Sequence, residues 1–599
     1  MAYTLRGKVR IELEVQSGRL VTQVYIDDQP LRGSEALNAG LAALLEGRRP
    51  PLGSLSALTS SQILVEESPL PAVADDELLT LAPEAAIEVQ PSARMWGTTA
   101  VSPDASLPIS LFVPPERLGP LQSLAAELQA GWQRMLSAAQ SRGRTVEPEQ
   151  AEPILSALCR ERIAREPALA AVLRPRDDGP GLTLEPCAPL QTDELAYPID
   201  TLRIWADRQA GARVRASSPP LRIRLAAPLS QYGPCLAALC AGIRGADLHA
   251  ALAQAPPAIA QLVDALRRAG LLRARPQPPR LDVPPGSLTH LGHATLLANL
   301  GGGYVLVDPF LPPASQLDSL RPPSLPELPP LSAIVITHHH WDHVHLETLL
   351  KLDKRVPVYL PRQRETAALR PRCERLLAYL GFSEVRTLGH GESFAVGDGG
   401  RVQAVPFFGE DPTRIDFVGN CYALIHGDCA ALVHVDSGTD SQGLSSVTSG
   451  VLRQLAASVR CLSPVLATRR QELGSLVEHP WEFLLRPARE WPLPTENCHN
   501  PAAFLAALAQ QAGCPWLVIY SEGGADFYPD GTNFLRRPGE AARMAPYEYL
   551  WNPWDQIVSA VEQTGAKIHM SSPFERFAIG GGPLSGLSRA QGSDAATSG

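Results

Sequence analysis

The sequence predicts an α/β protein with several domains, one of which brings a histidine-rich segment to the end of a buried strand. Three observations lead to this prediction. Residues 8–26 alternate apolar and polar side chains, the period of two that is typical of strands. Residues 118–139 repeat apolar side chains at helical spacing. Residues 333–336 form a short apolar run, rich in β-branched side chains, that ends directly before a cluster of histidines.

Size and composition limit the classes of protein that fit. A chain of 599 residues has room for two to four domains. The formal net charge of −9 argues against nucleic-acid binding, which requires a basic face. The ten cysteines include no C-x-x-C pair, so neither a disulfide framework nor a thiolate zinc site is indicated. The N-terminus lacks a signal peptide's apolar core, and no apolar run could span a bilayer, so we expect a cytoplasmic protein without membrane contact.

The first 235 residues read as an N-terminal α/β domain without a chemical motif. The alternation in residues 8–26, broken at Ser17-Gly18, predicts an antiparallel hairpin. Helices are expected at 36–45, 118–139 and 153–164.

Residues 236–273 predict three short helices that resemble a winged-helix module. DNA binding is one interpretation of such a module, and packing or protein docking within an enzyme is the other. The acidic balance and the presence of only Arg267 and Arg268 on the third helix favour the second. The proline-rich stretch 274–287 predicts a stiff linker, followed by a domain at 288–578 and a disordered tail at 579–599.

The histidine-rich segment predicts a site for two metal ions. His338 and His340 follow the strand two residues apart, so their side chains can point the same way. Asp342 and His343 stand where the chain turns into a helix, and they can serve a neighbouring point. Imidazole with carboxylate suits zinc or iron, and the hard carboxylate favours iron or manganese. A histidine-rich surface turn is the alternative interpretation. Five of the chain's 14 histidines fall in residues 338–345, and this density favours a metal site. His339 and His345 are expected to be structural.

The order of motifs in this half resembles the metallo-β-lactamase fold. Leu291-Gly-His293 comes first, then a strand that ends in Asp308-Pro309, then the His-x-His-x-Asp-His pattern of residues 338–343. The resemblance covers roughly residues 286–577 and implies an αββα sandwich. It implies that Asp308 braces the histidine loop, although a turn cap before the proline would also explain it. The seven prolines of 311–330 suggest a loop that forms one wall of a substrate channel.

Later strands supply the remaining candidate ligands. In hydrolases of this superfamily a histidine follows a strand equivalent to 401–406, but here Glu410 stands near that point, with Asp411 as an alternative. Asp436 follows the strand at 430–435, at the usual position of the bridging carboxylate. His569 resembles the last superfamily histidine and could bind metal or hydrogen-bond to a ligand. A glutamate in place of an imidazole adds negative charge and hardness, which favours iron over zinc.

This substitution resembles the di-iron, metallo-β-lactamase-fold β-hydroxylases of nonribosomal peptide biosynthesis, which also carry a large N-terminal domain. The resemblance implies six ligands, with one iron on His338, His340 and Glu410, the other on Asp342 and His343, and Asp436 between them. It implies an O₂-dependent monooxygenase that hydroxylates the β-carbon of an amino acid held as a thioester on a peptidyl carrier domain.

The same resemblance implies an external two-electron donor, such as an electron-transfer partner protein, and an antibiotic-type biosynthetic pathway. Carrier docking or dimer contacts would fall on the N-terminal domain, and a homodimer is one option. Two other functions stay open. One is a di-zinc hydrolase of a lactone, thioester or phosphodiester, in which a metal-bound hydroxide attacks. The other is a carrier-binding or regulatory module with a vestigial metal site. The sequence does not separate aromatic from aliphatic substrates.

Overall fold

The computed structural model describes residues 3–5, 9–16, 19–26, 29–30, 64–66, 72–81, 85–91, short pieces between 123 and 142, 148–170, 173–176, 183–186, 199–210, 213–216, 221–224, 228–268, 270–274, 279–311, 327–338, 343–362, 373–409, 419–439, 443–468, 500–520 and 554–584. None of the helices in these ranges combines the length and the apolar content that crossing a bilayer requires.

The N-terminal part is built mainly of short antiparallel sheets. Its elements are β1 (Tyr3–Leu5), β2 (Val9–Gln16), β3 (Arg19–Ile26), β4 (Gln29–Pro30), β5 (Leu64–Glu66), β6 (Leu78–Leu81), β7 (Ala85–Pro91), α1 (Pro148–Arg165), α2 (Pro167–Ala170), β8 (Leu173–Arg176), β9 (Thr183–Pro186), β10 (Ile199–Ala210), β11 (Arg213–Ala216) and β12 (Leu221–Arg224).

Three sequence predictions in this part are confirmed over the residues that the structure describes. Strands β2 and β3 pair antiparallel with Val9 opposite Ile26, which is the predicted hairpin. The described residues between 123 and 139 are helical and bury Leu124 and Leu128, and the helix predicted at 153–164 lies within α1. The helix predicted at 36–45 falls outside the described residues.

Three helices and a small sheet follow, in the region where the sequence predicts a winged-helix-like module. The elements are α3 (Leu229–Ala241), β13 (Ile243–Arg244), α4 (Gly245–Gln254), α5 (Pro257–Arg268) and β14 (Leu272–Ala274). The three helices are present, but α3 begins seven residues before the predicted start and contains Pro234. The central strand between β13 and β14 is β6, which comes from far upstream in the chain. The winged-helix assignment is therefore not confirmed.

The C-terminal half forms two seven-stranded sheets with helices outside them. Its strands are β15 (Ser287–Gly292), β16 (Thr295–Leu300), β17 (Gly303–Val307), β18 (Leu331–Val335), β19 (Val358–Pro361), β20 (Val385–Leu388), β21 (Ser393–Val396), β22 (Gly400–Pro406), β23 (Asn420–His426), β24 (Cys429–Val435), β25 (Cys461–Ala467), β26 (Trp516–Ile519), β27 (Lys567–Met570) and β28 (Arg576–Ala578). Its helices are α6 (Leu346–Lys351), α7 (Cys373–Tyr379), α8 (Val451–Ser458), α9 (Ala502–Ala512) and α10 (Trp554–Glu562).

The strand order confirms the predicted αββα sandwich. The first sheet runs β20-β19-β18-β17-β16-β15-β28, and the second runs β21-β22-β23-β24-β25-β26-β27. Strands covered on both faces read as continuous apolar runs, and their side chains alternate between two cores. In β18, Ile334 belongs to the core under the first sheet's outer helices, whereas Ala333 and Val335 belong to the core between the sheets. Residues 579–584, assigned to the tail from sequence, still hydrogen-bond to this domain, with Gly580 N donating to Ser463 O.

A buried lysine joins the helical segment to this sandwich. Lys354 is only 4% exposed, and its Nζ donates to the carbonyl oxygens of Leu349 (2.6 Å), Leu350 (2.8 Å) and Leu352 (2.6 Å). These carbonyls belong to the last turn of α6 and the residue after it, where helix hydrogen bonds run out. A Cβ on Gly233 of α3 would lie 3.0 Å from Lys354 Cε, so the two elements pack closely at this point.

We predict that Lys354→Met lowers the free energy of unfolding by about 2 to 4 kcal/mol, because it leaves buried carbonyl oxygens without their donor. Chemical denaturation measures the loss. Arg355→Ala is the matched control: Arg355 forms an exposed ion pair with Asp353, and its loss should change stability by less than about 1 kcal/mol. Equal effects of the two substitutions would contradict the assigned importance of Lys354.

Candidate metal centre

The candidate site lies at the carboxyl ends of three strands. Asp308 follows β17, His338 comes shortly after β18, and Asp436 follows β24. Because β17 and β18 are parallel neighbours, their ends meet at one edge of the first sheet. Two hydrogen bonds from the second sheet hold the chain after β18. Asn420 N donates to Thr337 O at 2.8 Å, and Tyr422 Oη donates to Ile336 O at 3.0 Å.

Three of the predicted ligands converge in the structure. His338, His343 and Asp436 are 1–2% exposed, and one ligand atom from each lies within 4.8 Å of the others. Asp436 Oδ2 is 2.9 Å from His343 Nε2 and 3.6 Å from His338 Nε2. The two imidazole rings have centroids 4.0 Å apart. One carboxylate oxygen therefore faces two imidazole nitrogens, as a bridging position requires.

Asp308 and Thr337 determine which ring nitrogens carry protons. Asp308 Oδ2 lies 2.9 Å from His343 Nδ1, and a carboxylate can only accept, so Nδ1–H of His343 donates. Thr337 Oγ1 donates to the same Oδ2 at 2.6 Å, which leaves its lone pairs for Nδ1–H of His338 at 2.9 Å. Both imidazoles then turn an Nε2 lone pair toward Asp436, the tautomer that metal binding needs.

This arrangement fits a metal ion on chemical grounds. Two nitrogen lone pairs and a carboxylate oxygen cannot hydrogen-bond to one another at these distances unless a proton or a cation lies between them. Imidazole and carboxylate donors are the usual ligands of zinc and of iron. The described part of the centre can therefore hold a divalent cation, with Nε2 of His338, Nε2 of His343 and Oδ2 of Asp436 as donors.

The other predicted site residues are either outside the described part of the chain or apart from the three converging side chains. His340, Asp342 and Glu410 fall outside the described residues, so their assignment as ligands stays a prediction. Asp308 contacts His343 and Thr337, as a brace of the histidine loop would. His569 Nε2 lies 2.7 Å from Glu575 Oε1, and its ring packs against Trp516 and Phe577. His569 is not among the converging residues in the described part of the chain, and its place as a ligand also remains a prediction.

Sequence reasoning missed two residues that shape the centre. Thr337 links the Asp308 carboxylate to His338, but a threonine at the end of a β-branched run reads as an ordinary strand residue. Phe407 lies against His338, with ring centroids 5.2 Å apart. Its position three residues before the predicted ligand Glu410 could have indicated that it lies near the centre.

His345, expected to be structural, places Nδ1 2.7 Å from Thr348 Oγ1, which accepts from Leu311 N at 2.9 Å.

We predict that Asp308→Asn weakens metal binding by about 10- to 100-fold, because it removes the charged acceptor that orients His343. Titration of apo-protein with zinc or ferrous ion measures the affinity. Asp428→Asn, which breaks an exposed pair with Arg460, is the control and should bind as wild type does. Equal affinities for both variants would show that the brace is dispensable.

The pH dependence of folding should carry the signature of His290, which is fully buried. Burial lowers its pKa to about 4, whereas the unfolded side chain titrates near 6.5. Between these values the unfolded state binds the extra proton, so stability falls as the pH is lowered from about 6.5 to about 4, by roughly 3 kcal/mol. Denaturation of apo-protein across this range tests the sign. His290→Gln cannot take up this proton, and its curve should be shallower; parallel curves would contradict the prediction.

Part of the chain is similar in sequence to known proteins. Residues 304–472 match the family model described as a β-lactamase superfamily domain. A segment of 128 residues, 20% of this chain and 24% of the relative, is 34% identical to the 4-amino-L-phenylalanyl-[CmlP-peptidyl-carrier-protein] 3-hydroxylase of Streptomyces venezuelae. The chain thus matches about a quarter of the length of that curated relative.

Similarity of fold extends further than similarity of sequence. The crystal structure of CmlA, a di-iron β-hydroxylase from Streptomyces venezuelae, superimposes with a TM-score of 0.51 at 17% identity, covering 84% of this chain and 99% of that one. A point mutant of the same β-hydroxylase gives a TM-score of 0.52 at 18% identity, covering 84% and 100%. The chain is therefore a protein of metallo-β-lactamase fold that resembles the CmlA β-hydroxylase in sequence over part of its length and in fold over most of it.

Proposed function

We propose that the chain is a di-iron monooxygenase that uses O₂ to hydroxylate the β-carbon of an amino acid tethered as a thioester to the carrier domain of a nonribosomal peptide synthetase. The observation that carries the proposal is the position of Asp436. One of its carboxylate oxygens faces the Nε2 atoms of both His338 and His343, which is how a bridging ligand of a metal pair would lie.

The backbone near residue 410 supports Glu410 as a further ligand. Gly438 N donates to Phe408 O at 2.7 Å, and Ser437 Oγ accepts from Phe408 N at 3.1 Å. The segment 407–409 therefore runs beside the residues that follow Asp436. Glu410 comes directly after this segment, so a short reach would bring its carboxylate to the metals. In the sequence, His340 and Asp342 lie between His338 and His343, which both belong to the candidate centre.

A glutamate at this position favours iron. With three imidazoles and three carboxylates, the proposed ligand set is harder and more negatively charged than a zinc hydrolase set with an additional histidine. Such ligands stabilise oxidised iron, and O₂ chemistry requires iron to reach oxidised states. The names of the relatives point the same way, since one is a di-iron β-hydroxylase and the other a hydroxylase of a carrier-bound aminoacyl group.

In the proposed reaction, a C–H bond, O₂, two electrons and two protons yield a C–OH group and water. When bound, the iron pair would supply O₂ activation and oxygen-atom transfer. The protein's own groups have simpler tasks. Asp308 and Thr337 keep protons on the Nδ1 atoms, so both Nε2 atoms stay available to metal. The 1–2% exposure of His338, His343 and Asp436 keeps bulk water from the centre.

The proposed reaction requires an electron donor and a carrier domain as partners. The electrons would come from an external donor, an electron-transfer protein or a small reductant. The carrier domain would dock on the N-terminal part, which could also form a homodimer. A cytoplasmic location would supply both partners. The channel wall predicted at 311–330 lies mostly outside the described residues, and it stays a prediction.

The test combines metal analysis with product analysis. Wild-type protein should bind about two irons per chain. With a reductant and labelled O₂, it should add one oxygen atom to an aminoacyl carrier domain, detected by mass spectrometry across carriers loaded with different amino acids. Glu410→His should abolish this gain, whereas Asp411→Asn, the matched neighbour, should retain it.

Other outcomes would replace the proposal. Native protein with zinc in both positions and turnover of a lactone, thioester or phosphodiester would establish the hydrolase instead. Equal product formation by wild type and by a His338→Ala/Asp436→Ala double variant would indicate a binding module with a vestigial site.

A further inference from the structure

Strained backbone marks the surroundings of the metal centre. Four non-glycine residues of the described chain have positive φ: His293 (49°), Asp308 (42°), Val435 (46°) and Phe574 (69°). This conformation costs roughly 1 to 2 kcal/mol for a residue with a Cβ, and it persists where the surroundings require it. Asp308 orients His343, and Val435 directly precedes Asp436. The contacts described so far do not explain the positive φ of His293 and Phe574.

The side chain of His293 lies next to the candidate metal centre. Its ring centroid lies 5.7 Å from that of His343 and 5.0 Å from that of Phe310, and it is 1% exposed. A glycine would adopt the same backbone without strain, so the side chain is kept at an energetic cost. The ring lies beside that of His343 at a tilt of 54°, where it would restrict rotation of that imidazole.

His290 holds the turn that carries His293. A carbonyl can only accept, so Nε2–H of His290 donates to His293 O at 2.7 Å, and Nδ1 accepts from Ser571 Oγ–H at 2.9 Å. The pKa of His290, lowered to about 4 by burial, keeps the ring neutral, so this hydrogen-bond pattern persists at physiological pH. The backbone of His290 is fixed as well, because His290 N donates to Glu575 O and Phe574 N donates to His290 O.

We propose that His290 is a positioning residue for the metal centre, through which the C-terminal segment 571–575 fixes the strained turn at His293 and thereby the orientation of His343. The inference rests on the proposed metal centre and extends it to residues that do not bind metal. The segment 571–575 is also tied to β27 through the pair His569–Glu575, so the last strand of the second sheet reaches the centre by this route.

Cobalt(II) is a suitable probe, because its visible absorption reports coordination geometry independently of turnover. His290→Leu should weaken cobalt binding by about 10- to 100-fold and shift the spectrum, as loss of a hydrogen bond that orients a ligand does. Ser571→Ala should shift both in the same direction by less. His290→Gln retains a donor for His293 O and should restore most of the wild-type spectrum.

Thr564→Ala is the matched control for the serine variant. It removes a hydroxyl-to-carbonyl bond of 2.6 Å, to Val561 O, at the opposite end of β27, and should leave the cobalt spectrum unchanged. If Ser571→Ala and His290→Leu both bind cobalt with wild-type affinity and spectrum, the inference is overturned while the metal centre stands. If His290→Leu does not fold, the comparison of Ser571→Ala with wild type decides the question. Wild-type protein that binds no cobalt would overturn the metal centre and the inference with it.

Discussion

A single buried carboxylate, that of Asp308, organises the candidate metal centre. It accepts hydrogen bonds from Thr337 N at 2.7 Å, Thr337 Oγ1 at 2.6 Å and His343 Nδ1 at 2.9 Å. Through the threonine hydroxyl its influence extends to His338. One acid thus sets the tautomer of both histidines and holds the backbone at Thr337, directly before His338. Its own backbone is held, with Asp308 N donating to Val335 O and Asp308 O accepting from Thr295 Oγ1.

The two sheets contribute to the centre in different ways. The first sheet supplies Asp308, His338 and His343 from the ends of parallel strands and the loop after them. The second sheet supplies Asp436 and also fixes the first sheet's contribution, because Asn420 and Tyr422 donate to the carbonyls of Thr337 and Ile336. The distance from Asp436 to the histidines therefore depends on how the sheets pack, and hence on the apolar core between them.

Much of this arrangement was predictable because its signals are local. A β-branched run before His338, a strand ending in Asp308 and an apolar strand before Asp436 each indicate a strand end, and strand ends of this fold meet at one edge. Non-local features were not predictable. The pairing of β6 with β13 and β14 joins segments more than 150 residues apart, and Pro234 concealed the true start of α3. The hydrogen bonds of Thr337 and His290 depend on tertiary contacts that no spacing rule reveals.

The sequence also could not decide whether His569 binds metal directly or hydrogen-bonds to a metal ligand. The segment around His569 resembles that of the superfamily's last histidine, yet in the structure His569 lies within β27 and pairs with Glu575, which directly precedes β28. Which way a histidine at a strand end turns depends on the partner that it meets. That partner comes here from a segment after the strand, whose conformation includes the positive φ of Phe574.

The core shared by the helices α3 to α5 and the first sheet has a consequence for how the protein can be divided. Leu236, Leu239 and Leu262 belong to the same buried cluster as Leu297, Ile334 and Leu349. A fragment that starts after the proline-rich stretch would leave these sheet and helix side chains facing water, and such an apolar surface promotes self-association. The helical segment therefore covers apolar surface of the C-terminal half, and soluble fragments would have to begin upstream of α3.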